Sequence, residues 1–191
     1  MTEIVLFHHA QGLTDGVLAL AGSWRSAGHT VHTPDLYEGH TYATLDEGMT
    51  HVRRVGFDAI VRAGTESVAD LPEELVYAGI SLGAMPAMAL AIGRPGARGA
   101  LLISGFVPPS EFGAWPAGLP AQVHGMAGDP EFAESGDLAA AQEFAASEPA
   151  VEVFTYPGET HLFVDSSLPD FDADAAAQFG ERAAAFVDRL G

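Results

Sequence analysis

The stretch YAGISLGAM, residues 77–85, decides the fold. It ends an apolar run, ELVYAGI, and leads into MALAI, an Ala-rich run with helical composition. Within it, Gly79-Ile80-Ser81-Leu82-Gly83 is a G-x-S-x-G pattern at a strand-to-helix junction. A serine there sits on a tight turn, with small residues two places to either side because neighbouring backbone crowds it, and its hydroxyl is thrust into a cleft. Taken alone, the pattern also describes an ordinary βα turn with Ser81 as a helix N-cap. Its meaning depends on what the rest of the chain brings to the same end of the fold.

Outward from this turn, short β-rich runs alternate with longer Ala-rich segments of helical spacing, the pattern of crossover-connected parallel strands. The pattern predicts strands over 3–9, 30–34, 75–80, 99–104, 121–126 and 151–156, and helices over 16–27, 45–69, 82–92, 138–147 and 174–190. Strands buried on both faces read as nearly continuous apolar runs, as IVLF, ELVYAGI and GALLI do. The Pro/Gly-rich segment 107–120 is expected as a surface loop. Pro86 lacks an N–H for the Leu82 carbonyl, so a local distortion is expected at the start of its helix. No repeat or composition shift divides the 191 residues, and the expectation is one domain over 1–191 without a large lid.

Composition narrows the chemistry. The chain has no cysteine, which removes disulfides, thiol nucleophiles and thiolate metal sites. All eight basic residues are arginine, which removes Schiff-base and P-loop lysine chemistry. A formal charge of −18 without an arginine stripe repels phosphate backbones and anionic membranes, so neither nucleic acid nor a membrane is an expected partner. The apolar stretches are too short to span a bilayer and the N-terminus has no basic signal region, so a cytoplasmic location is expected.

In open parallel sheets, ligands bind beyond the carboxyl ends of the strands. Those ends hold His8-His9-Ala10, Asp35, Ser81, Ser104, Asp129 and, one turn further on, His161. A serine hydroxyl needs a base within hydrogen-bond reach and a third group to orient that base. For a nucleophile on such an elbow the chain order is Ser, acid, His. QVHGMAGDPEF places Asp129 just past a strand, and VEVFTYPGETHLF places His161 in the loop after the next, each interval long enough for one helix–strand unit. Glu131 and Glu134 are alternates for the acid, and His124, inside a strand, reads as a core group. Oxyanion donors are expected at the backbone N–H of Leu82 and of Ala10 or Gln11. Met85, Phe106 and Phe163 are candidate apolar walls, and the Trp115 loop a candidate for the mouth. His8 and His9 invite a metal reading, but adjacent strand residues point to opposite faces and cannot readily share an ion. Neither a metal nor a cofactor is expected.

Together HHAQGL, AGHTVHTPDLYEG, GISLG, HGMAGDPEF and YPGETHLF make the chain resemble the dienelactone hydrolase family of α/β-hydrolases over nearly its whole length. The resemblance implies a compact single-domain hydrolase, with a mostly parallel sheet flanked by helices on both faces. It also implies a triad of Ser81, His161 and Asp129, with oxyanion donors at the N–H groups of Leu82 and Ala10. Three positions depart from the family pattern. Ser81 stands where the family has cysteine, His9 where it keeps a glutamate near the nucleophile, and Asp165 where an arginine helps to bind a substrate carboxylate. An Asp there repels a carboxylate, which argues against dienelactone itself as substrate. With the departures in view, His9, Gln11, Phe163 and Asp165 are candidate pocket residues. The expected activity is hydrolysis of a small ester, lactone or thioester through an acyl-enzyme. The alternative is a non-catalytic small-molecule-binding or regulatory protein on the same scaffold.

Overall fold

Six strands form one sheet in a computed structural model that describes residues 1–191. They are β1 (Glu3–Phe7), β2 (Thr30–His32), β3 (Val76–Ile80), β4 (Gly99–Ile103), β5 (Ala121–Met126) and β6 (Val151–Tyr156). Their order is β2-β1-β3-β4-β5-β6, and every neighbouring pair is parallel. The helices are α1 (Asp15–Ser26), α2 (Leu45–Val55), α3 (Phe57–Glu66), α4 (Ala84–Gly93), α5 (Asp137–Ser147) and α6 (Ala173–Arg189). The expectation of a mostly parallel sheet is thus met by a wholly parallel one.

Alternation along the strands sends side chains to two cores. Ile4, Leu6, Ala78, Ile80, Leu101 and Ile103 face α1 and α6, where Val17, Trp24, Phe179 and Phe186 cover them. Val5, Phe7, Tyr77, Leu102 and Val123 face the opposite way, against Ala87, Met88 and Leu90 of α4 and Ala141 of α5. A third, smaller cluster of Ala10, Tyr37, Val52, Ile60 and Leu82 lies at the carboxyl end of the sheet, joining α2 and α3 to the loop after β1.

The single helix expected over 45–69 is two helices. Gly56 adopts φ 91°, a left-handed conformation that only glycine enters cheaply, and its N–H closes α2 on the Val52 carbonyl. The chain then restarts as α3, and the bend sets Phe57 beside the carboxyl end of the sheet. Three strands also end early, β4 by one residue at Ile103 and the other two by two residues. β1 stops at Phe7 because the backbone turns at once, with Gly12 N–H donating to the His9 carbonyl, and β2 stops at His32 before Pro34.

Strand order determines where a site forms. The chain leaves β1 towards β2 on one side and returns to β3 on the other, so β1 and β3 flank the point where the winding reverses. In such sheets a crevice opens there, between loops that diverge. The loop that follows β1 contains His8-His9-Ala10, and the turn that follows β3 contains Ser81. No helix is long and apolar enough to cross a membrane.

Candidate active site

Ser81 has φ 51°, in the left-handed region that L residues avoid. Holding a non-glycine residue there costs roughly 1–3 kcal/mol, and such strain persists only where the surroundings over-determine it. Here they do. A Cβ at Gly79 would collide with the Gly83 carbonyl, and a Cβ at Gly83 with the Phe7 carbonyl, so both positions flanking Ser81 must be bare backbone. The turn itself is 3₁₀ over Ser81–Gly83 before α4 begins at Ala84, the distortion expected from Pro86.

His161 reaches this serine from the loop after β6. Its Nε2 lies 2.7 Å from Ser81 Oγ and its Nδ1 2.7 Å from Asp129 Oδ2. A carboxylate only accepts, so the partner assigns the proton to Nδ1 and leaves Nε2 free to accept the serine O–H. Asp129 is fully buried, and its other oxygen accepts the Glu131 N–H at 2.9 Å. The acid is therefore held on both sides, while Glu131 and Glu134 are exposed.

On the β1 side, Gly83 packs directly against the Phe7 and His8 carbonyls, which brings Leu82 next to the loop holding Ala10. That loop is braced by its two histidines in different directions. His8 Nδ1 donates to the His9 carbonyl at 2.7 Å and its Nε2 accepts the Leu36 N–H at 3.0 Å, a pattern only a neutral ring can make. Burial lowers its pKa to about 4, in keeping with that pattern. His9 Nδ1 accepts the Gln11 N–H at 3.2 Å, which puts its proton on Nε2, and Nε2 donates to Asp165 Oδ2 at 2.8 Å.

The cleft above Ser81 has a volume of about 230 Å³. Leu45 and Met49 of α2, Phe57 of α3 and Met85 of α4 form its apolar side. Ser104 to Val107, after β4, form the opposite wall together with Glu131 and Asp137. Four of the residues expected to line a pocket beyond the triad, His9, Gln11, Phe163 and Asp165, are elsewhere. His9 and Asp165 are sealed beneath the loop, Gln11 donates to the Tyr42 and Ala43 carbonyls, and Phe163 packs on Tyr156 and Phe179 in the core. Trp115 rests on Phe144 of α5 rather than at the mouth, whereas Met85 and Phe106 do face the cleft. Asp35 is a turn former that accepts the N–H groups of Tyr37 and Gly39. His124 is a core group, bonded to Tyr156 Oη and Gln122 Oε1.

Sequence reasoning missed Leu45, Met49, Phe57 and Asp137. The first two come from α2 and the third from the start of α3, and the sequence signal for that break is the lone Gly56 between two helical patterns. Asp137 carried no signal beyond its place at the start of a helix. Burial raises its pKa against the opposing pull of the Phe106 N–H and of His161.

A doubly wound parallel sheet, with a strained serine after its third strand and His and Asp brought to it in the order Ser, Asp, His, defines an α/β-hydrolase. The chain matches the dienelactone hydrolase family model over residues 1–190 and belongs to that family. It is accordingly a hydrolase of the carboxylic ester hydrolase kind. Solved structures with the same fold include a dienelactone hydrolase-like promiscuous phosphotriesterase from metagenomic libraries, at 17% identity and TM-score 0.76, covering 100% of this chain and 87% of that one. The esterase PE8 aligns at 18% identity and TM-score 0.71, covering 100% and 93%. A dienelactone hydrolase from Anabaena variabilis aligns at 16% identity and TM-score 0.67, covering 98% and 86%. A search of curated proteins finds no match.

Proposed function

We propose that this protein is a serine hydrolase of small esters, lactones or thioesters, working through an acyl-enzyme on Ser81. The observation that carries the reading is the unbroken relay from Asp129 through His161 to Ser81, both links 2.7 Å, ending on a serine held at φ 51°. Ser81 Oγ attacks the substrate carbonyl carbon while its proton passes to His161 Nε2. The carbonyl oxygen, now negative, is met by the N–H groups of Leu82 and Ala10. Collapse breaks the bond to the leaving oxygen or sulfur, which takes the proton back from Nε2 and departs as alcohol or thiol. Water then attacks the acyl-Ser81 ester by the same route, with His161 as base, and releases the acid. Asp129 stays ionised and holds the imidazole in the tautomer both halves require.

A cleft of about 230 Å³ is small beside the pockets that enclose drug-sized ligands, and it fits a short acyl or alkyl chain against Met49, Phe57 and Met85. The relay also weighs against a purely binding role, which would not need Ser81 within hydrogen-bond reach of a base. A fluorophosphonate is expected to label Ser81, and the purified protein to cleave short p-nitrophenyl esters, with both lost in Ser81→Ala. Folded wild-type protein that does neither overturns the proposal.

A further inference from the structure

We propose that the cleft selects esters and thioesters whose leaving group carries a cation, an ammonium in the simplest case, held by Asp137 and Glu131 beside His161. The inference rests on the hydrolase reading above and gives it a substrate class.

Strand order divides the surroundings of Ser81 in two. The oxyanion donors lie on the β1 side, so the carbonyl oxygen points there. His161 approaches from the β5–β6 side, and its Nε2 must protonate the leaving atom. Whatever is attached to that atom therefore runs along the wall built after β4 and β5. That wall holds two carboxylates, Asp137 and Glu131, and no arginine lines any part of the cleft. Beyond Glu131 the surface continues into a depression that also includes Glu159 and Asp170, again with no cation. A leaving group with a positive charge meets favourable potential along its whole path, whereas an anionic one is repelled.

A second feature of the same wall is independent of charge. Ser104 is 1% exposed, holds φ 52°, and its hydroxyl has no hydrogen-bond partner in the protein. An unpaired buried hydroxyl costs free energy that a bound ligand relieves by supplying a donor or an acceptor. Ser104 lines the cleft next to Gly105, whose backbone abuts Ser81, so a leaving-group heteroatom poised for protonation lies within its neighbourhood. Position 165 adds a negative argument. The site at which the resembling family binds a carboxylate holds a buried Asp that is turned away from the cleft and bonded to His9.

The test compares acetylthiocholine with 3,3-dimethylbutyl thioacetate, its uncharged carbon analogue of the same shape. The chain has no cysteine, so every thiol released is product. At low ionic strength kcat/KM is expected to favour the cationic thioester by about tenfold, with the ratio shrinking as salt is added. Asp137→Asn keeps an acceptor for the Phe106 N–H, and Glu131→Gln alters an exposed residue. Each is expected to reduce the ratio, and the double variant to bring it close to one. The overall negative charge is nearly unchanged in these variants, so a ratio that survives in the double variant reflects the general field and overturns the proposal. A wild-type ratio of one or below does the same. Cleavage of p-nitrophenyl acetate without preference for the cationic thioester sinks the substrate class alone. Absence of both turnover and fluorophosphonate labelling sinks the hydrolase reading beneath it.

Discussion

His9 Nε2 and Asp165 Oδ2 are 2.8 Å apart, and both side chains are fully buried. Two of the three positions at which the chain departs from its family's pattern are thus each other's partners. Asp165 also accepts from the hydroxyls of Thr14 and Ser167. Burial alone would raise its pKa, but these bonds, led by the one from His9, bring it down to about 2. The pair ties the loop that carries His161 to the loop that carries Ala10, so it acts on the site through position rather than contact.

His9→Ala is accordingly expected to lower kcat/KM by roughly ten- to a hundredfold, the scale of a small misplacement of catalytic groups. His8→Ala, which removes the bonds to the His9 carbonyl and the Leu36 N–H but leaves the tie to Asp165 in place, is expected to cost less. Steady-state kinetics on both variants, with folding checked by circular dichroism, decides the ranking. The reverse order contradicts the role given to His9.

Asp129→Asn preserves the shape of the buried acid but offers an amide where a carboxylate accepts from Nδ1. The imidazole then flips its tautomer or loses its partner. A fall in kcat of about 10³ to 10⁴ is expected at neutral pH, with the melting temperature changed by only a few degrees. Parallel kinetic and thermal measurements check this, and a variant that keeps most of its activity would remove Asp129 from the relay.

Strain at Ser81 has a stability signature. Glycine adopts φ 51° readily and alanine does not, so Ser81→Gly is expected to be about 1 kcal/mol more stable than Ser81→Ala, both being inactive. Urea denaturation of the two variants measures the difference. Equal midpoints would show that the turn is not strained at this residue.

Two buried histidines make the fold acid-labile. Burial is the main cause that lowers His8 to about 4 and His124 to about 3, with the charge of Arg182 also acting on the latter. The unfolded chain binds these protons near pH 6.5 and the folded one does not, so stability is full above 6.5 and falls as pH drops towards 4 and 3. Each histidine contributes a slope of up to roughly 1.4 kcal/mol per pH unit. His124→Gln is expected to flatten the dependence between pH 4.5 and 6.5 by about that amount, read from urea midpoints. An unchanged slope contradicts the assignment.

The fold was legible because its signals are local. ELVYAGI followed by SLG can only be a buried strand entering a turn, and Gly79 and Gly83 mark the backbone crowding that the structure contains. The order Ser81, Asp129, His161 was legible because each residue lies in the turn or loop after a strand whose position the apolar runs reveal. The cleft walls were not. Whether Phe163 faces a pocket or Phe179 depends on how the loop after β6 packs, and whether Leu45, Met49 and Phe57 reach the site depends on how α2 and α3 dock at the end of the sheet. The partnership of His9 with Asp165 spans nearly the whole chain and left no local trace.

The central claim is that Ser81 carries the acyl group. Intact-mass and peptide mass spectrometry of protein quenched during turnover of p-nitrophenyl butyrate tests it most directly. An adduct of one butyryl group is expected on the peptide containing Ser81, strongly diminished in His161→Ala, which lacks the base that activates the serine, and absent from Ser81→Ala. Turnover that persists in Ser81→Ala, or an acyl group on any other residue, would contradict it.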